Sequence, residues 1–226
     1  MGTDVFQFGI RKIRVWPRDQ AVQRLDEPRV LITDFADHPH YHPRLTQRIL
    51  SLEQGSEFRD ALFRGACGVK VRHPGRWACV EAELVQARAV ALFKHVHQCD
   101  SAVVDDSWAS VYHKHDYCAP HSHTRVQSSV LYFLDAGDPP DPDDVAAGRF
   151  CIADPRMRAC CPEQEGRMTS LLVPDLRPGT MMLFPAEFVH HVNPYLGSRP
   201  RITLSWNLAV TAIRGRPGTR EDYRPA

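Results

Sequence analysis

From residue 201 to residue 208 polar and apolar side chains alternate without a break. Arg201, Thr203, Ser205 and Asn207 fall on one side and Ile202, Leu204, Trp206 and Leu208 on the other. A period of two is that of a strand, so this stretch is a strand with two chemically different faces. The polar face of an isolated strand ordinarily looks into solvent. An arginine with a hydroxyl two residues on also makes a clamp for a carboxylate, the guanidinium giving a charge-assisted fork and the hydroxyl one further bond.

The rest of the chain divides around residue 102. Downstream, strand-like runs at 103–113, 128–134, 148–152, 170–173, 180–184 and 201–210 are separated by Pro- and Gly-rich connections. Upstream, residues 5–16 alternate loosely and read as one strand ended by Pro17. Leu45, Ile49, Leu52 and Phe58 have the spacing of a helix over 43–63. Val80, Leu84, Val85, Ala89, Leu92, Phe93 and Val96 form the apolar stripe of a stronger one over 78–98. Helices followed by a run of strands predict an α+β or mainly β chain, with N-terminal helices buttressing a double-sheet jelly roll. At 226 residues one domain is expected. Within it, 1–101 supplies a strand and helices that pack on the roll, 102–212 the jelly-roll core with its site, and 213–226 a loose tail.

Charge excludes some partners. With 28 basic and 27 acidic side chains there is no electrostatic footprint for nucleic acid or an anionic membrane. No apolar run reaches the length of a membrane-spanning helix, and the N-terminus lacks the basic start and apolar stretch of a signal peptide, so a cytoplasmic location is expected. Seven cysteines, with Cys160 and Cys161 adjacent and no Cys-x-x-Cys, predict reduced thiols rather than a disulfide framework. A homodimer is compatible with this composition.

Candidate chemistry starts at His121 and His123, two apart and so able to share a strand face, with His190 far downstream. Brought together, three imidazoles hold one ion and leave up to three positions open; imidazole suits iron, copper, zinc and nickel alike. The competing reading is of ordinary histidines in a chain that has twelve. His113 and His115, with Asp116, form a rival pair. His191 should point away from His190 on an extended segment. His95 and His97, two apart on a helix, face different ways and read as exposed or capping residues.

The stretch from Trp108 through His121 and His123, the run 128–134, the Pro178-Gly179 approach through Phe184-Pro185 to His190, and Arg201 eleven residues beyond resemble the 2-oxoglutarate- and Fe(II)-dependent oxygenases. The resemblance covers about residues 104–210, roughly half the chain. It implies the double-stranded β-helix fold (a cupin-like jelly roll), Fe(II) as cofactor, 2-oxoglutarate as cosubstrate, and O2 and a small molecule as substrates. It marks His121 and His190 as metal ligands, Arg201 as partner of the far 2-oxoglutarate carboxylate and Thr203 as the accompanying hydroxyl. His123 stands where the common pattern has Asp or Glu, as in related His-x-His members. A neutral imidazole there leaves the loaded centre one unit more positive and keeps the position filled, which favours hydroxylation or desaturation over halogenation.

Around this set, Tyr112, Gln127 and Ser129 are candidates to touch the cosubstrate, and Glu187 and Asn193 to orient an imidazole. Cys118 reads either as a small buried residue or as a pocket thiol. The Asp- and Pro-rich segment 135–147 reads as a solvated loop, with a lid role as the alternative. Two other functions stay open: a cupin-like three-histidine dioxygenase that does not use 2-oxoglutarate, in which Arg201 holds a substrate carboxylate, and a non-catalytic metal- or ligand-binding module.

Overall fold

The computed structural model describes residues 4–26, 30–60, 68–139, 144–153 and 171–210. Two antiparallel sheets form its body. The larger contains β3 (Gln23–Asp26), β4 (Val30–Asp34), β5 (Val69–Arg72), β6 (Ala102–Tyr112), β8 (Ser128–Asp135), β11 (Thr180–Pro185) and β13 (Arg201–Val210), in the order β3-β4-β11-β8-β13-β6-β5. The smaller contains β7 (Cys118–His121), β9 (Phe150–Ala153), β10 (Leu171–Leu172) and β12 (Val189–Val192), in the order β10-β9-β12-β7.

The alternation of β13 is resolved by what lies on each side of it. Ile202, Leu204, Trp206 and Leu208 join one core cluster with Leu45 and Ile49 of α1 (His42–Gln54) and Leu84, Leu92 and Phe93 of α2 (Val80–His97). The helices therefore cover the outer face of the large sheet, and each large apolar side chain buried there contributes about 1.5–3 kcal/mol. A second cluster, including Leu131, Met182 and Phe184 from the large sheet and Phe150, Ile152 and Val192 from the small one, fills the space between the sheets. The polar face of β13 looks into that space, not into solvent.

Several expected boundaries change. Residues 5–16 are a hairpin, not one strand: β1 (Val5–Phe8) pairs with β2 (Arg11–Arg14) across Gly9-Ile10, and Gly9 takes the positive φ of 60° that the turn requires. The first helix stops at Gln54, where Gly55, a poor helix former, takes an extended conformation (φ −87°, ψ 170°). Phe58 is still buried, at a bridge between Arg59 and Val71; the rest of the expected helix, 61–63, lies outside the described residues. The N-terminal portion does more than pack on the roll, since it donates β3, β4 and β5 to the large sheet itself.

The second helix is as expected, with Glu81 and Glu83 in its first turn and Lys94, His95 and His97 in its last, complementing the helix dipole. His95 is exposed and stacks on Trp16, while half-buried His97 meets Ser128 Oγ at 2.8 Å. Strands at 103–113, 128–134, 148–152, 180–184 and 201–210 all appear within two residues of the expected limits; of the strand expected at 170–173, Leu171–Leu172 is a strand and residue 170 lies outside the described residues. Asp135 and Asp138 tie the described part of the 135–147 loop to Ser198 and Arg199. The expected loose tail lies outside the described residues. Among those described, no helix is long and apolar enough to cross a membrane.

Candidate metal centre

The small sheet assembles the histidines. β7 and β12 pair antiparallel with His121 and His190 as direct Cα partners, so both rings rise from the same face at the same level. The register shifts between His190 and Val192, and β7 ends at His121. His123 is thus not on the strand, contrary to the two-apart strand geometry expected for it; its backbone N–H donates to Ala186 O at 2.8 Å, which returns the ring to the pair. Ring centroids stand 4.3 Å apart for His121 and His190, 5.1 Å for His121 and His123, and 5.2 Å for His123 and His190. One nitrogen of each lies within 4.8 Å of those of the other two.

Protonation follows from the surroundings. His121 Nδ1 lies 2.8 Å from Ala119 O, and His190 Nδ1 lies 2.8 Å from Phe188 O. A carbonyl can only accept, so Nδ1 carries the proton in both and Nε2 keeps its lone pair. Burial pushes the His190 pKa down to about 3, helped by the charge its neighbours would carry. Burial, then His121 and Lys70, lowers His123 to about 4. His121 is lowered too, chiefly by burial. Near neutral pH all three are neutral imidazoles, the form that binds a metal.

Across the same cavity, opposite walls belong to the large sheet. Arg201, Thr203, Ser205 and Asn207 line it from β13, and Ser129 Oγ donates to Asn207 Oδ1 at 2.9 Å. Arg201 is 2% exposed, and neither Nη1 nor Nη2 has a hydrogen-bond partner. Its guanidinium is held between two rings, 5.0 Å from the Tyr112 centroid and 4.8 Å from that of Phe133. Burial lowers its pKa, with Tyr112, Tyr195 and Cys118 acting in the opposite direction. A buried guanidinium with both terminal nitrogens unpaired carries a desolvation cost that an ionised partner would relieve, and a carboxylate matches its fork.

Both groups the sequence suggests therefore fit the residues present: a divalent ion on the imidazoles and a dicarboxylate reaching Arg201. Tyr112 meets the arginine through its ring, and Thr203 is buried on the same strand face. Cys118 satisfies both of its readings, being buried and lining the cavity, with Sγ 3.7 Å from His121 Nδ1.

The remaining candidates go elsewhere. His113 and His115 are exposed, and His113 Nε2 sits 2.7 Å from buried Glu53. His191 borders the cavity without joining the nitrogen cluster. Gln127 is exposed and accepts from Val210 N, Glu187 is exposed, and Asn193 Nδ2 donates to Ala146 O; none of them orients an imidazole. That task falls to the backbone carbonyls of Ala119 and Phe188. Missed altogether were Lys70 and the rings of Phe150 and Phe184, which pack on His190 at 5.6 and 4.9 Å. The short alternation Val69-Lys70-Val71-Arg72 was the available signal for Lys70.

Comparison with known proteins agrees with this geometry. Residues 106–207 match the family model described as "Putative 2OG-Fe(II) oxygenase". No curated protein matches. Among solved structures, AviO1 from Streptomyces viridochromogenes Tue57 superposes with a TM-score of 0.59 at 12% identity, covering 82% of this chain and 92% of that one. EctD from S. alaskensis, solved with 2-oxoglutarate and 5-hydroxyectoine, gives 0.59 at 14% identity over 86% and 78% of the two chains. HygX from Streptomyces hygroscopicus, with nickel and 2-oxoglutarate bound, gives 0.55 at 13% over 80% and 83%. These likenesses show the fold, the double-stranded β-helix. The matched segment, a little under half of the chain, contains the three clustered histidines and the orphaned arginine, and over it the chain is similar to the 2-oxoglutarate- and Fe(II)-dependent oxygenases, a family of oxidoreductases.

Proposed function

We propose that the protein is a 2-oxoglutarate- and Fe(II)-dependent dioxygenase that hydroxylates or desaturates a small-molecule or amino-acid-derived substrate. Its iron is held by His121, His123 and His190. The far carboxylate of 2-oxoglutarate lies on Arg201, with Thr203 adding a hydroxyl and Tyr112 supporting the guanidinium. The observation that carries this reading is the buried, unpaired fork of Arg201 in the wall of the cavity that also holds the histidines. Loaded with iron, 2-oxoglutarate and O2, such a centre couples decarboxylation of the keto acid to succinate with oxidation of an unactivated C–H bond.

The chain's own contribution is positioning, charge and dryness. Ala119 O and Phe188 O fix the tautomers, so Nε2 of His121 and His190 is ready to ligate without losing a proton. Phe150, Phe184 and Trp108 wall the imidazoles with rings, which lowers the local dielectric and strengthens the hold of Arg201 on a dianion. Three neutral ligands leave the full charge of the ion in the cavity, which further favours an anionic cosubstrate.

The all-imidazole donor set also suits a cupin-like dioxygenase whose substrate binds the metal directly, with Arg201 holding the substrate carboxylate. Succinate separates the two readings. Iron-loaded protein given 2-oxoglutarate and O2 should release succinate even without a primary substrate, slowly and uncoupled, and Arg201→Ala should suppress that release. Absence of succinate from a fully iron-loaded protein favours the cupin-like reading.

A further inference from the structure

Beyond Arg201 and Thr203, which the proposed cosubstrate occupies, the inner face of β13 continues with Ser205 and Asn207, both lining the cavity of the histidines. Their rows of the sheet also carry rings that wall the imidazoles. Ser205 is the Cα partner of Trp108, whose ring lies 5.8 Å from that of His123. Asn207 is the Cα partner of Ser129, itself paired with Phe184, whose ring lies 4.9 Å from that of His190. Ser205 and Asn207 therefore stand level with the metal centre. Along the strand they lie about 13 and 20 Å from Arg201, at ~3.3 Å per residue.

The Asn207 amide is buried, at 6% exposure, and turned in a definite sense. Ser129 Oγ donates to Oδ1 at 2.9 Å, which ties down the acceptor end and leaves the two N–H groups of Nδ2 free. Among the described residues nothing accepts from Nδ2, and nothing bonds the Ser205 hydroxyl. Buried donors left in this way favour a ligand that supplies the missing acceptor. The two side chains share one strand face about 6.6 Å apart, Nδ2 as a donor only and the hydroxyl as donor or acceptor. A planar trans amide carries its C=O and its N–H on opposite edges. That gap takes one amide, with a hydrogen bond of about 2.9 Å on each side.

We propose that Ser205 and Asn207 recognise the primary substrate through a secondary amide, whose C=O accepts from Asn207 Nδ2 and whose N–H donates to Ser205 Oγ. Ser129 is the positioning residue that sets the asparagine. The substrate class is thus an acylated amine, of which a peptide is one case, and the assignment rests on the oxygenase reading of the site. Hydration alone also satisfies these polar atoms, and it predicts no preference for an amide.

The test uses the full chain loaded with Zn(II), a redox-inert stand-in for iron, and saturated with 2-oxoglutarate. N-methylpentanamide and methyl pentanoate, alike in length and carbonyl but differing in the N–H, are titrated and followed by ligand-observed NMR. The amide should bind about five- to tenfold tighter than the ester, the scale of one hydrogen bond. Ser205→Ala should remove that advantage and leave the ester unchanged. Asn207→Leu keeps the size and removes both N–H groups, so both probes should weaken about five- to tenfold while zinc and 2-oxoglutarate still bind. Ser129→Ala should weaken both probes in the same direction, and Ser129→Thr should restore them. Wild-type protein that takes up zinc and 2-oxoglutarate but does not prefer the amide overturns the assignment. So does a preference that survives in Ser205→Ala, or an Asn207→Leu protein that loses 2-oxoglutarate instead of the probes. Failure of the wild type to take up zinc or 2-oxoglutarate contradicts the oxygenase reading, and the assignment falls with it.

Discussion

His121 and His190 face each other as direct partners across the β7–β12 pair, and each ring is held by the backbone carbonyl two residues before it. Because both the level and the tautomer of the rings are set by main-chain bonds, removing either ring leaves the sheet intact and the donor set incomplete. His121→Ala and His190→Ala should each lose most of the bound divalent ion while keeping wild-type circular dichroism; His191→Ala should keep the metal. Metal analysis of the three purified variants checks this, and full occupancy in His190→Ala with loss in His191→Ala reverses the assignment.

Acid should act on the metal-free protein through its buried neutral histidines. His190 and His42 are depressed to about 3 and His123 to about 4, each mainly by burial. Their unfolded values lie near 6.5, so between roughly pH 6.5 and pH 3–4 the unfolded chain binds more protons than the folded one and stability falls as pH falls. Urea midpoints of the metal-free protein should drop steadily across that window. His190→Gln should show a shallower drop, since one depressed group is gone; an unchanged slope contradicts the burial account.

Arg201 gives opposite signs for stability and binding. A buried charge without a hydrogen-bonded partner is a liability in the ligand-free protein, only partly offset by the Tyr112 and Phe133 rings. Arg201→Met should therefore raise the melting temperature of the ligand-free protein, while abolishing the further rise that 2-oxoglutarate gives the wild type. Differential scanning fluorimetry with and without 2-oxoglutarate reads both. A ligand-free Arg201→Met protein that melts lower than wild type counts against the unpaired charge.

The third ligand is tested by comparison of two variants. His123→Asp supplies the commoner carboxylate, so iron should remain bound while the coupling of succinate formation to substrate oxidation changes. His123→Ala removes a donor and should weaken iron. Unchanged iron affinity in His123→Ala would reduce the site to two histidines.

How much of this was legible in the chain depended on the range of the interactions involved. The alternation of β13 is local, and its limits at 201 and 210 were read correctly. The histidine trio was legible from residue type and spacing, but the departure of His123 from the strand was not, because the Ala186 carbonyl that places it lies 63 residues away in sequence. The direction of the polar face was likewise hidden, since it is decided by helices packing on Ile202 and Trp206. Lys70 escaped notice because four residues are too few for a periodic signal, and the Phe133 ring over Arg201 comes from a neighbouring strand.

The central claim joins the histidines to Arg201 through one cosubstrate. Anaerobic titration of Fe(II)-loaded wild-type protein with 2-oxoglutarate should develop the visible charge-transfer absorption of a keto acid chelated to ferrous iron. Arg201→Ala should keep its iron and need roughly ten- to hundredfold more 2-oxoglutarate for the same signal, the range of a lost bond to a charged group of about 1.5–3 kcal/mol. Iron-loaded wild-type protein that shows no 2-oxoglutarate-dependent absorption, or an Arg201→Ala protein that titrates like wild type, would contradict the account.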